Sequence, residues 1–474
     1  MVRWLGRQAW LAWLGCLPLA GGWGCDRGNV STRVPDPDDV YPSPPMAFSG
    51  ALVYVNAAQP GCEQGDGTAA RPFCGVGQAL ASPPGPLAVL VAPADYPEAV
   101  QVTRSDVWIM GRRGDARARL TASTEGTALT VTQAQRVVVD GLQVGPRPGL
   151  GVLAYGGELT LQDVQVREIG AGTALPGDGI VAVAGARLTA RDVAIDGVAR
   201  VGLLVADTEG PDGRLDAEAL GVRGFGAGGI SAQGQVVAAL RGITVEDGGV
   251  YGVGAFGATL SVDGGTVARI ARVDGQGGDA VVGALGGGAP AALALDDLTV
   301  EDSARVGILA DGAGGRVAGV TVRGSAGGGL WAIGPHTLEV ADSRFERSAI
   351  VGLAALDGAQ LTAREVVVDE VVAGVALRGG RLEDVGDGVM VLGARLEAEA
   401  LTVAASHRAG LLLDSGTVDW QRGEVSDVRF GVVVQNGGQL TDAGLSFAQV
   451  REVDRLEPAE PLPVVRALGE LDAP

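Results

Sequence analysis

The chain predicts an all-β fold, a parallel β-helix of about 13 three-strand coils closed by an N-terminal cap. Three observations carry that expectation. A phrase made of glycine followed by four mostly apolar residues recurs, mostly every 21–28 residues. Two shorter apolar–polar–apolar phrases follow it, such as LTL (159–161) and then VQV (164–166). Glycine supplies 78 of 474 residues without a strict triplet, which suits repeated tight turns and not a collagen-like chain. No segment holds an i, i+3, i+4 apolar stripe long enough for helical repeats, and the period is too short for a propeller blade. Stacking each strand on its equivalent one turn away buries apolar columns in a common bore.

In chain order, residues 1–24 have the pattern of an export signal. Arg3 and Arg7 precede an apolar run from Trp10 to Ala20, which is too short to span a bilayer. Simple cleavage after Gly22 or Gly24 would leave three cysteines, an awkward number for an exported protein. With Cys25 as a lipidated first residue, Cys62 and Cys74 remain to pair in an oxidising compartment. The stretch before Cys25 resembles a bacterial lipoprotein signal, with small Gly24 beside the cysteine, and departs from it at Gly22 and Trp23. The expectation is a protein exported to the cell envelope or outer surface, touching a membrane only through its anchor, with plain secretion as the alternative. Residues 25–48 carry prolines and aspartates without apolar periodicity and predict an extended, solvated tether.

Residues 49–450 carry the solenoid, with 49–102 as cap and opening strands, and 451–474 form a tail. The first-strand phrases run from GVLAY (151–155), GIVAV (179–183) and GLLVA (202–206) to GLLLD (410–414) and GVVVQ (431–435). DAVVG (279–283) fits with Asp279 in the glycine's place. GVALR (374–378) lies only a short step before GVMVL (388–392), which implies a degenerate or inserted turn.

The opening segment contains Gly65–Thr68, Pro72-Phe73, and Tyr96 with Glu98. With these residues and the repeat, residues 50–450 resemble the right-handed parallel β-helix family of pectinesterases and pectate lyases. The resemblance implies right-handed coils, and acids and bases on the outward face of the first strands wherever carbohydrate chemistry occurs. It is nearly silent on function, because one fold serves many activities.

That outward face carries no charge here. Two residues past each glycine stand Leu153, Leu204, Leu309, Trp331, Ala376, Met390, Leu412 and their equivalents. The first strands are apolar on both faces, the pattern of a sheet covered on both sides. The cover could be loops, the tail, a second copy or an apolar ligand. The candidate ligand or partner face is Tyr155, Leu204, Phe256, Leu309, Trp331, Met390 and Leu412, facing a polysaccharide or a second protein copy.

Other chemistry is weakly signalled. The motifs of pectinesterases, polygalacturonases and pectate lyases are missing, so no catalytic residue is assigned. His336 and His407 belong to different coils. Asp207, Asp311, Asp357 and Asp414 follow first strands and fit turn chemistry. Asp163, Asp192, Asp297, Asp342 and Glu365 recur at one turn and could make a calcium ladder, but fit solvated turn acids better. GQGGDA (275–280) is a single faint calcium-like match, and no other cofactor is expected. The net charge of −20, with arginine as the only basic residue besides histidine, argues against nucleic acid and anionic membranes as partners. The functional expectation is a surface protein with a binding or structural role. The alternatives are a carbohydrate-active enzyme with a site built from loops (171–178, 207–213, 271–290), or a self-associating scaffold.

Overall fold

A computed structural model describes residues 40–45, 48–122, 126–146, 149–170, 177–207, 213–378 and 381–465. The export signal, Cys25 and residues 26–39 of the tether lie outside the described residues.

The chain winds into a β-solenoid of about 15 turns with almost no helix. First strands of successive coils form one 15-stranded sheet from Val100–Val102 to Val453–Leu456, paired in parallel. Second and third strands form a 28-stranded sheet, in places fused into one strand such as Val237–Gly249. At about 4.8 Å per coil, fifteen coils make a rod of roughly 70 Å.

Alternation decides which side chains enter the bore. Val152, Leu203, Ile230, Ile308 and Leu330 point inward and are fully buried in one continuous cluster. Each such aliphatic side chain contributes about 1.5–3 kcal/mol, so the bore is the main source of stability. The phrase glycines follow from backbone spacing. A Cβ on Gly229 would stand 2.5 Å from the Gly252 carbonyl oxygen and 2.5 Å from a Val245 methyl, and one on Gly329 would stand 2.5 Å from the Gly352 oxygen. Only a residue without a side chain fits where adjacent coils and the third strand converge. The recurrent turn acids have a conformational reason too. Asp163, Asp192, Asp297, Asp342 and Glu365 have φ of 49–54°, and Gly242, Gly264 and Gly319 take similar values at the same turn. Aspartate and glycine enter the left-handed region readily, although Ala219, Ala400 and Arg422 hold the same turn in other coils.

The N-terminal end is sealed as a cap. Helix Val76–Leu80 packs Val76 and Ala79 inward, and Glu98 accepts hydrogen bonds from the N–H groups of Val76 (2.6 Å) and Gly77 (3.0 Å). Cys62 and Cys74 are disulfide-bonded. Tyr96 is buried and donates its hydroxyl to the Ala92 carbonyl at 2.8 Å.

Several expectations change. GVALR is not a coil: Gly374–Arg378 pairs antiparallel with Arg381–Val385 as a hairpin inserted before the next first strand. Ala376 therefore leaves the outward column. DAVVG is shifted by one residue, since Tyr251 pairs with Asp279 and Val253 with Val281. Ala280 thus takes the glycine's place, Val281 faces the bore, and Val282 faces outward. The two strands before Gly151 and the strand Val453–Leu456 lack the phrase, which accounts for the larger number of turns. The described end of the tether is docked rather than solvated, because Tyr41 is buried against Leu90 and Ala92 and stacks edge-on with Tyr54. The tail, one of the covers expected for the first-strand sheet, is docked on it as described below.

Candidate functional site

Strand register places the outward residues of the first-strand sheet in one column, from Leu153 through Val181 and Leu204 to Met390, Leu412 and Val433. The molecule treats its two halves differently. In the C-terminal half, Leu309 (4% exposed), Trp331 (0%), Met390 (2%) and Leu412 (0%) belong to a packed cluster with Val464 and Val465. The segment after the last strand folds back onto the coils of Arg408 and Gln435, and Val385 of the inserted hairpin joins the same cluster. Four of the seven candidate face residues are therefore interior, and they present no surface to a ligand.

In the N-terminal half the face is open in part, with Val181 and Ser231 buried beneath neighbouring side chains. Leu153 and Leu204 are half-buried, and Tyr155 is 47% exposed. Tyr251 and Phe256 pack edge-on, with ring centroids 5.4 Å apart, beside Gly254. Burial pushes the Tyr251 pKa up, and the nearby Ser231 hydroxyl offsets part of that rise. Gln233 also donates to the Ser231 hydroxyl, at 3.1 Å. This patch combines aromatic rings, a hydroxyl and an amide, and can hold polar groups against an apolar floor. Beside it lies an open cleft of about 270 Å³, lined by Asp207, Gln233, Gln235 and Phe256 with glycine backbone. A polar groove of about 520 Å³ on the second-strand sheet is lined by Thr337, Gln360, Thr362, Arg395 and Glu397. Its carboxylate is already paired, since Arg395 approaches Glu397 at 2.6 Å.

The structure reveals one constellation that the repeat did not announce. Asp178, Asp279 and Asp387 open first strands and are buried (1%, 2% and 1% exposed). Each is clasped by an arginine of the next coil: Arg200, Arg305 and Arg408, with Nε–Oδ1 distances of 2.8, 2.9 and 2.9 Å. The other carboxylate oxygen takes Nη2 of the same arginine. Asp178 and Asp279 also accept the N–H of Val201 and Val306, both at 3.1 Å. These charge-assisted pairs explain why ARVG recurs at 199–202 and 304–307. Each clasped acid follows a glycine, at 177–178, 278–279 and 386–387, a pair that points to its arginine only once the coils are stacked.

The acids that follow the first strands have other duties. Asp207 is buried and accepts the Gly213 N–H at 3.0 Å, and Asp414 accepts from Ser415, Gln435 and Asn436. Asp357 has φ 54°, in keeping with a turn. The single calcium-like stretch places Asp279 under Arg305, and Asp163 is paired with Arg117 at 2.8 Å. Among the described residues, the one close cluster of metal-ligating types is Cys62, Glu63 and Cys74, which contains the disulfide. Loop residues 171–176 and 208–212 lie outside the described residues, whereas 271–290 forms two tight turns at Val273–Gln276 and Gly286–Ala289. No described helix is long and apolar enough to cross a membrane.

No family model matches the chain, and no curated protein matches its sequence. Solved structures share the β-helix fold at low identity. The GH136 lacto-N-biosidase from Eubacterium ramulus is 10% identical, with 84% of this chain and 68% of that chain covered and a TM-score of 0.33. The mannuronan C-5 epimerase A-module of Azotobacter vinelandii is 13% identical, with coverage of 78% and 92% and a TM-score of 0.30. The tailspike receptor binding domain of siphovirus 9NA is 10% identical, with coverage of 84% and 77% and a TM-score of 0.30.

Proposed function

We propose that the chain is an exported β-helical surface protein, held at the envelope by a lipid on Cys25, whose role is to bind. The observation that supports this reading is the asymmetry of the first-strand sheet. The C-terminal half is closed by the chain's own tail and hairpin, while the other leaves Tyr155, Leu204, Tyr251 and Phe256 at least partly accessible beside Arg200 and Gln233. A continuous apolar strip with a few placed polar groups is the composition of a recognition surface. The described carboxylates nearest to it are spent on structure: Asp178 on Arg200, and Asp207 on the Gly213 N–H. That arrangement favours binding over acid–base chemistry.

The test separates anchor from surface. A Cys25→Ser protein, lacking the lipid, is mixed with washed envelopes of the producing cell, and the sedimenting fraction is measured. The expected result is saturable retention that falls at least tenfold when Tyr155→Ala and Leu204→Arg are added, with an unchanged melting transition. Undiminished retention of that folded variant would overturn the assignment of the surface.

A further inference from the structure

The tail is held on the closed half by two side chains. Arg408 uses Nε and Nη2 on Asp387 and donates Nη1 to the Pro463 carbonyl at 2.8 Å. Gln435, one coil further on, pairs reciprocally with Leu462. Its Oε1 accepts the Leu462 N–H at 2.8 Å, and its Nε2 donates to the Leu462 carbonyl at 3.1 Å. The apolar floor between these residues is Leu412 and Val433, in register on adjacent strands. The molecule therefore contains a site that grips an extended peptide by its backbone and packs the following Val464 and Val465 on the apolar column.

The same constellation stands on the open half. Asp178 clasps Arg200 as Asp387 clasps Arg408. Gln233 occupies the Gln435 position. Ala206 pairs with Gln233, and Asp414 with Gln435; these partners lie five residues after Val201 and Ala409, which directly follow the two arginines. Leu204 replaces Leu412 as the floor, while Ser231, in the Val433 position, is already covered beneath Gln233 and Tyr251. Where Phe430 opens its strand, Gly228 stands instead, and the Tyr251 ring of the next coil fills the space above it. The third clasp, Asp279–Arg305, has Ile333 in the glutamine column and lacks the second grip.

Occupancy distinguishes the two complete constellations. The Arg408 side chain is 7% exposed under the tail, whereas that of Arg200 is 46% exposed. Among the described residues, Arg200 Nη1 makes no hydrogen bond. We infer that the Arg200–Gln233 face docks an extended, apolar, proline-containing peptide of a protein partner, in the manner in which Arg408 and Gln435 hold Leu462–Val465. Arg200 Nη1 takes a peptide carbonyl, the Gln233 amide pairs with the preceding residue, and aliphatic side chains lie on Leu204 against Tyr251. Ala206 in the Asp414 position leaves the Gln233 amide without the carboxylate that steadies Gln435. The open site is therefore the weaker of the two.

This inference rests on the open half being a binding surface, and its test is separable from that reading. A labelled peptide of sequence AEPLPVVR, copied from residues 459–466, is titrated into the full mature protein, and polarisation is followed. The expected result is saturable 1:1 binding, weakened at least tenfold by Gln233→Ala and by Leu204→Arg and unchanged by Gln435→Ala. Neither variant removes a member of the Asp178–Arg200 clasp, and an unchanged melting transition in both separates a loss of binding from misfolding. Sensitivity to Gln435→Ala instead would show exchange with the tail and overturn the proposal, as would absence of binding. Retention on envelopes without peptide binding would overturn the peptide and leave the binding surface standing.

Discussion

At the scale of single residues, the solenoid is governed by where a side chain cannot go. A Cβ on Gly229 meets the Gly252 oxygen at 2.5 Å, a Val245 methyl at 2.5 Å and the Phe225 ring at 3.1 Å. Backbone and a β-branched side chain cannot yield cheaply, so Gly229→Ala should lower stability by about 1–3 kcal/mol in denaturant titration. The contrasting case is Ser348, buried with no hydrogen-bond partner for its hydroxyl among the described residues, as are Ser303, Ser325 and Ser406. Removing an unsatisfied hydroxyl removes a desolvation cost, so Ser348→Ala should leave stability unchanged or raise it by up to about 1 kcal/mol. A loss of several kcal/mol would mean that the hydroxyl has a partner. The glycine column was legible in the sequence because its cause acts at every coil. The register at Asp279 was not, because an acid beside an apolar run resembles a substituted glycine until strand pairing places Ala280 there. Nor were the clasps, whose partners lie 21–26 residues apart and meet only when coils stack.

At the scale of elements, the tail and the hairpin show what periodicity misses. Residues 457–465 have no repeat, and their role follows from what they cover. The uncharged outward column did announce a cover, and the cover of its C-terminal half is the chain itself. GVALR imitated a first strand in composition, yet Gly374–Arg378 pairs antiparallel with its own neighbour. Removing residues 457–474 should uncover Met390, Leu412 and Val433 on one sheet face while leaving the bore intact. The expected outcome is stronger binding of an apolar dye and concentration-dependent association in sedimentation, with far-ultraviolet circular dichroism unchanged. A truncated chain that stays monomeric and dye-silent would show that this strip needs no cover.

At the scale of the whole molecule, stability depends on charge in two opposing ways. The net charge of −20 repels itself along the rod, and protonation in acid relieves that repulsion. Contact ion pairs act in the other direction. Arg269, with Arg223, holds Asp247 below the usual carboxylate range, and Arg344, with Arg323, does the same for Glu346. A carboxylate depressed in the folded state contributes stability that is complete above its unfolded pKa and is lost as pH falls through its folded value. The unfolded range is about 4, so the loss begins near there and deepens below it. Which effect wins is decided by distance. Repulsion between separated surface charges is screened over about 8 Å at physiological salt, whereas Arg223 and Asp247 are 2.9 Å apart and Arg323 and Glu346 are 2.9 Å apart, within that length. The melting temperature should therefore hold from neutral pH to about 5 and fall below about 4, at salt concentrations high enough to screen the net charge. Because each coil contacts only its neighbours, the loss should be local, with amide exchange quickening first in the strands bearing Asp247 and Glu346. A melting temperature that rises as pH falls from 5 to 3 would show that global repulsion, and not these axial pairs, sets the acid limit.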